Sequence, residues 1–238
     1  MKLIEKLKKN LKMFGKVFAE YKNGNYNVVI MEDGTKIRYA NDGQVMIPDY
    51  PETIDLCVTK RCSQGCIFCY EGCTPQGASM DSSFMSYSIF EDIPPYTEIA
   101  INGNDLDFPN FGVFLEFLSR KKCIVNMTVT IMQFIMNTEK ITQFCKRNLV
   151  KSVGISLGDM SKFNFHNTGD GDYTWSISNI INPREFFIHL HEKHIPAVFH
   201  AIAGITSVDQ LQLFADAYNS VIQDKQPNLL ILGYKDRG

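Results

Sequence analysis

Residues 53–70 read TIDLCVTKRCSQGCIFCY. The first seven are rich in β-branched residues, follow Pro51 and run into a polar loop containing glycine, which predicts a short strand and a loop after it. The same unit recurs along the chain. β-rich runs stand at 97–103 (TEIAING), 124–132 (IVNMTVTIM), 151–157 (KSVGISL), 195–203 (IPAVFHAIA) and 228–234 (NLLILGY). Helical segments lie between them, with readable starts at Asn182-Pro183 before REFFIHLHEKH and at Ser207-Val-Asp-Gln210 before LQLFADAYNSVI, the latter a capping-box pattern. Strand, loop and helix in alternation predict an α/β fold with a parallel sheet wound right-handedly, either an open doubly wound sheet or an incomplete barrel. Six such units of about 30 residues each fill the chain beyond residue 52, and a complete eight-fold barrel, at about 250 residues, does not fit.

The first 50 residues read differently. Leu3, Leu7, Leu11 and Phe14 recur at helical spacing over residues 2–18 among six lysines, which predicts a basic amphipathic helix. Such a helix either touches anionic lipid or nucleic acid or, as the reading preferred here, packs on the main domain with its lysines solvated. YNVVIMEDGTKIRYA (26–40) then predicts a β-hairpin turning at Asp33-Gly34. Pro48 and Pro51 mark a boundary, so residues 1–50 form a helix-and-hairpin extension and residues 51–238 the core domain. The last predicted strand ends close to Gly238 with no helix after it, so its edge calls for cover from the extension, a partner or a second copy.

A formal net charge of −2 gives no global attraction to nucleic acid or to an anionic membrane. No apolar run approaches the roughly 18 residues of a membrane span, and the N-terminus lacks the apolar core of a signal peptide. A cytoplasmic location, with reduced thiols, is the expectation.

Seven cysteines are present, and five of them, Cys57, Cys62, Cys66, Cys69 and Cys73, crowd into one stretch. Cys123 and Cys145 stand alone among apolar residues and read as core. The crowded group lies in the loop after the first core strand, and active sites of parallel α/β folds gather at those carboxyl ends. Structural zinc asks for four ligands, usually in two separated pairs. Three thiolates at CxxxCxxC spacing, Cys62, Cys66 and Cys69, suit a 4Fe-4S cubane with one iron left open to a ligand. Cys57 sits in the strand and reads as packing. Cys73 is a fourth ligand, a hydrogen-atom donor facing substrate, or a plain loop thiol. A four-thiolate zinc module that recruits Cys57 or Cys73 is the competing reading.

This motif, with Phe68 before the last cysteine, resembles that of the radical S-adenosylmethionine superfamily, over residues 53–238. The resemblance implies an incomplete (βα)6 TIM-like barrel of parallel strands. It also implies an enzyme in which Cys62, Cys66 and Cys69 hold a 4Fe-4S cluster. The open iron chelates S-adenosylmethionine, and an electron from a flavodoxin or ferredoxin-type donor cleaves it to methionine and a 5′-deoxyadenosyl radical that takes hydrogen from substrate. Asn102-Gly103-Asn104-Asp105, followed by Leu106 and Pro109, is similar to the family's GGEP-type turn, with Asn102 in place of a glycine, Asn104 of the glutamate and Asp105 of the proline. By the same resemblance Ser156 contacts ribose, His200, Ile202 and Gly204 lie near adenine as a GxIxG-like segment with His200 in place of its first glycine, and Gly233 and Tyr234 offer backbone to it. The altered turn leaves open a degenerate member that keeps a cluster without cleaving cofactor. The substrate is a small molecule, a nucleotide or a peptide. The aromatic stretch 159–175 is expected to line its pocket through Phe163, His166, Tyr173 or Trp175.

Overall fold

A computed structural model of the chain describes residues 15–40, 44–66, 68–80, 90–158, 183–223 and 227–233, and the backbone of 164–167 and 173–176. The strands in chain order are β1 Val17–Asn23, β2 Tyr26–Met31, β3 Lys36–Ala40, β4 Thr53–Leu56, β5 Glu98–Asn102, β6 Ile124–Thr130, β7 Ser152–Ser156, β8 Asn164–Asn167, β9 Tyr173–Ser176, β10 Ala197–Ile202 and β11 Leu229–Leu232. The helices are α1 Phe111–Arg120, α2 Ile131–Met136, α3 Thr138–Lys146, α4 Pro183–Glu192 and α5 Val208–Val221, with a 3-10 turn at Gly103–Asp107.

Six strands form one parallel sheet in the order β11-β10-β7-β6-β5-β4. The order follows the chain without reversal, which is sequential, barrel-like winding rather than the doubly wound alternative, and β4 and β11 remain as edges. Period-two alternation divides the faces. Ile99, Ile101, Val125, Met127, Val129, Val153, Ile155 and Phe199 are buried in the main core with the helices. The opposite face carries Ala100 and Asn102, then Thr128 and Thr130, then Gly154, Ser156, His200 and Ile202, a set too small and polar to fill a barrel with bulky layers. That face is where the site opens.

Several predicted boundaries move. Residues 1–14 of the predicted helix lie outside the described residues, and Val17 and Phe18 belong to a strand instead. Ala19, Tyr21 and Asn23 alternate inward along β1, so pairing with β2 wins over helical spacing. The extension is therefore a three-stranded antiparallel meander, β1-β2-β3, whose β2–β3 hairpin turns at Asp33-Gly34 as expected. The third core strand ends at Thr130 because Thr130 and Gln133 form a capping box that starts α2. Cys57 falls just past β4, not within it. The stretch 159–175 contributes β8 and β9, an antiparallel hairpin; Phe163 lies outside the described residues.

The meander packs against the amino ends of the parallel strands. Ala19, Tyr26, Val28 and Ile30 join Tyr96 and Ile124 in one apolar cluster, and Lys36 Nζ meets Glu98 Oε2 at 2.6 Å. Arg38 meets Glu52 Oε2 at 2.8 Å, and Tyr26 Oη donates to Glu52 Oε1 at 2.5 Å. The extension thus closes the end opposite the carboxyl termini of the strands. Among the described residues nothing covers β11, with Leu229 to Leu232 between 38% and 62% exposed. Among the described residues no helix is long and apolar enough to cross a membrane.

Candidate functional site

The residues that follow β4 leave the sheet through a closed neck. Met80 N–H donates to Val58 O at 2.9 Å, Lys60 N–H to Ala78 O at 2.7 Å, Thr74 N–H to Lys60 O at 3.0 Å and Cys62 N–H to Thr74 O at 2.9 Å. Segments 58–62 and 74–80 so pinch off residues 63–73 as a compact loop. Within it Cys69 N–H donates to Cys66 O at 3.2 Å and Gly72 N–H to Cys69 O at 3.1 Å, two tight turns, with Gly65 and Gly72 at φ near +60°.

Thr59 is the hub of the neck. It is 4% exposed, and all three of its polar groups are engaged. Its N–H donates to Asp105 Oδ1 at 3.0 Å; its carbonyl accepts from Asn104 Nδ2 and from Cys57 Sγ, the latter at 3.2 Å. Its hydroxyl pairs with Ser79 Oγ and accepts the N–H of Arg61 at 3.1 Å. The turn after β5 therefore grips the chain three residues before the first cysteine. Lys140 from α3 holds the far end of that turn by donating to Leu106 O. At its near end a Cβ on Gly103 would stand 2.3 Å from Gln133 Oε1 and 3.1 Å from Val129 Cα, so a side chain there would displace Gln133 and crowd β6.

Over the carboxyl ends of the strands lies a cavity of about 410 Å³. It is lined by Cys62, Cys66, Phe68, Cys69 and Cys73 from the loop, by Asn102, Gly103 and Asn104 from the turn after β5, and by Ser156, His200, Ile202 and Gly233 from the ends of β7, β10 and β11. Two predicted site residues, Asp105 and Gly204, are placed otherwise. Asp105, expected at the cavity, is fully buried beneath it with its carboxylate given to backbone N–H groups. Gly204 takes φ +83° in the turn after β10, where Ile205 and Thr206 N–H return to Ile202 O, and does not line the cavity. Tyr234 lies outside the described residues. Asp55, Gln64, Tyr70, Glu71, Thr128, Thr130, Gln133 and Leu232 also line it. The Thr130–Gln133 pair carried a legible capping-box signal; Gln64, Tyr70 and Glu71 come with the cysteine loop and Leu232 with the predicted last strand, whereas Asp55 and Thr128 are brought there by strand register alone.

Phe68 crosses the mouth to Gly158 just beyond β7. A Cβ there would stand 3.2 Å from Phe68 Cζ, and Gly158 also has φ +58°. His200 lies over Gly154 of the neighbouring strand, and burial lowers its pKa, so the imidazole is neutral near pH 7. A Cβ on Gly154 would stand 2.3 Å from His200 Cε1. Gly154→Ala is expected to cost ~1–3 kcal/mol of stability by overpacking, and Gly154→Ala combined with His200→Ala to recover most of it. Thermal unfolding of the two variants is the check; no recovery in the double variant would place the strain elsewhere.

Burial and the neighbouring Cys69, Cys57 and Cys62 push the Cys73 thiol up to about 12, and burial with Glu71 raises Tyr70 to about 12. Cys62, Cys66 and Cys69 are each half-buried on the wall of one cavity, open to a ligand yet screened from bulk water. Three thiols on one wall are the kind of donors that a 4Fe-4S cluster takes. Comparison of the chain with protein-family models, with curated proteins and with solved structures gave no match.

Proposed function

We propose that the chain is a radical S-adenosylmethionine enzyme built on a partial (βα)6 barrel. It cleaves S-adenosylmethionine reductively to methionine and a 5′-deoxyadenosyl radical that abstracts hydrogen from a substrate. One observation carries the reading: the cysteine loop, the Asn102–Asn104 turn and the ends of β7, β10 and β11, which lie far apart in sequence, line a single cavity. Cys62, Cys66 and Cys69 hold the 4Fe-4S cluster, which when bound supplies an electron and one open coordination position.

The chain's own groups then divide the work of orientation. Asn104 Nδ2 is committed to Thr59 O, so Oδ1 is the acceptor it can offer to an ammonium group. Ser156 supplies a hydroxyl for a sugar. Neutral His200 with Ile202, Leu232 and Gly233 forms a wall on which an uncharged base can rest without meeting a cation. Phe68, held at Gly158, keeps the loop folded over the mouth. The electron comes from a donor of flavodoxin or ferredoxin type; the substrate is a small molecule, a nucleotide or a peptide, received beside the β8–β9 hairpin.

Cys73 favours a second reading, because it stands beside Cys69 and near Cys57 and Cys62; four thiolates would close a zinc site. Anaerobic reconstitution separates the two. The proposal expects brown protein with about four irons per chain, and 5′-deoxyadenosine when reduced protein meets S-adenosylmethionine. Colourless protein holding one zinc supports the closed module. A full cluster that leaves the cofactor uncut under strong reductant marks a non-catalytic relative.

A further inference from the structure

Asp105 is the largest departure between the expected site and the observed one. Its side chain is fully buried and ends on three backbone donors: Val58 N–H and Thr59 N–H on Oδ1 at 3.1 and 3.0 Å, and Asn102 N–H on Oδ2 at 3.2 Å. Val58 and Thr59 are the root of the cysteine loop, and Asn102 is the last residue of β5, from which the Asn102–Asn104 wall of the cavity springs. β4 and β5 are paired only from Thr53↔Glu98 to Leu56↔Ile101. Beyond that register no ladder fixes how far apart the two chains run. One carboxylate, with two oxygens each accepting in its own direction, spans the gap.

We infer that Asp105 is a positioning residue that sets the spacing between the cysteine loop and the Asn102–Asn104 wall, and so the fit of the cofactor between them. The inference rests on the function proposed above for its second half only; the spacing itself is a property of the metal-free chain. An ionised carboxylate suits the task, because bonds from neutral N–H groups to a charged acceptor are about twice as strong as neutral ones and the three donors offset part of the cost of burying the charge. An amide at this place would turn an N–H₂ group toward one of the donors.

Burial raises the carboxyl to about 6 in the folded protein, against the pull of the three N–H bonds and with Glu71 pushing the same way. The titratable groups facing it are Glu71 from the cysteine loop and Cys57 past β4, while Lys140 from α3 reaches the same turn at Leu106 O. The sign matters for the test. A folded value above the ordinary 3.8 means that this group's contribution to global stability is fully present below about pH 4 and is lost as pH rises through about 6. Protonation on one oxygen nevertheless removes a charged acceptor from the bridge. Acidification through pH 6 should therefore loosen three local amides without any loss of global stability from Asp105.

Amide hydrogen exchange on metal-free wild-type protein reads this directly. Protection factors at Val58, Thr59 and Asn102 are expected to fall roughly 10- to 100-fold between pH 7 and pH 5, with those of Ile99 and Val125 unchanged. Asp105→Asn is expected to show the low values at both pH values and to abolish their pH dependence. After reconstitution the variant should keep its iron while its KM for S-adenosylmethionine rises about 10-fold or more. Unchanged protection at the three amides overturns the bridge, as does loss spread evenly through the sheet, which would make Asp105 a general stabiliser. Freed amides with an unchanged KM overturn the positioning role. If the variant fails to fold, the wild-type pH series decides alone. If wild-type protein takes up no cluster, the proposed function fails while the exchange result still stands or falls by itself.

Discussion

Replacing Cys62, Cys66 or Cys69 singly by alanine is expected to leave a folded, colourless protein that forms 5′-deoxyadenosine at least ~1000-fold more slowly than wild type, a change of ~4 kcal/mol or more in the barrier. The fold should survive because the loop is shaped by backbone bonds. Cys62 enters the neck through its N–H to Thr74 O, and Cys69 N–H bonds Cys66 O, so these backbone bonds remain when a thiol is removed. Loss of one of three thiolates leaves a cluster two anchors on a half-buried wall, and water reaches the rest. Cys73→Ala is the contrasting case. It should keep about four irons per chain, with any defect confined to coupling between cofactor cleavage and substrate. Full iron content in any of the first three variants would remove that residue from the ligand set. Loss of iron in Cys73→Ala would make the site a closed four-thiolate centre and end the case for an open position.

Much of this arrangement was legible in the residues because it follows from strand order. Once TIDLCVT, TEIAING and the four later runs are read as parallel strands, their carboxyl ends must meet, and Cys62, Asn102, Ser156, His200 and Gly233 come together without any contact being known. What escaped reading depends on contacts between elements. Nothing local in Asn104-Asp105 says that one side chain takes the carbonyl of Thr59 and the other its N–H, because Thr59 lies more than 40 residues earlier. Gly204 looked like a ligand-facing glycine, but its φ of +83° serves the turn after β10. The first strand was hidden for a different reason. Lysines and leucines at helical spacing run up to Phe14, and the switch to the β period occurs within the next few residues, so a single amphipathic reading overran the boundary at Val17.

The same neck that spares the fold when a thiol is lost makes Gly77, in its 74–80 segment, a sensitive position. A Cβ on Gly77 would stand 2.0 Å from Lys60 O, 2.3 Å from Lys60 C and 2.9 Å from Arg61 N. The obstacle is backbone, which has no rotamer to change, so the 74–80 segment must lift away from 58–62. Lifting removes the Lys60–Ala78 and Thr74–Lys60 bonds next to it at ~1 kcal/mol each, with a further ~1–3 kcal/mol of overpacking if the chain resists. The parallel sheet and its apolar core lie elsewhere, so Gly77→Ala is expected to open the neck rather than unfold the domain. Iron uptake should fall below a tenth of wild type, and limited proteolysis within 62–80 should quicken about 10-fold or more. Gly72→Ala separates sterics from conformational strain. Gly72 has φ +63° but nothing within 4 Å of its added Cβ, so the change costs only the left-handed strain of ~1–2 kcal/mol and should retain most of the iron. Equal iron uptake by Gly77→Ala and wild type would mean that the neck does not shape the cysteine loop, and the spacing of the three thiols would then need another cause.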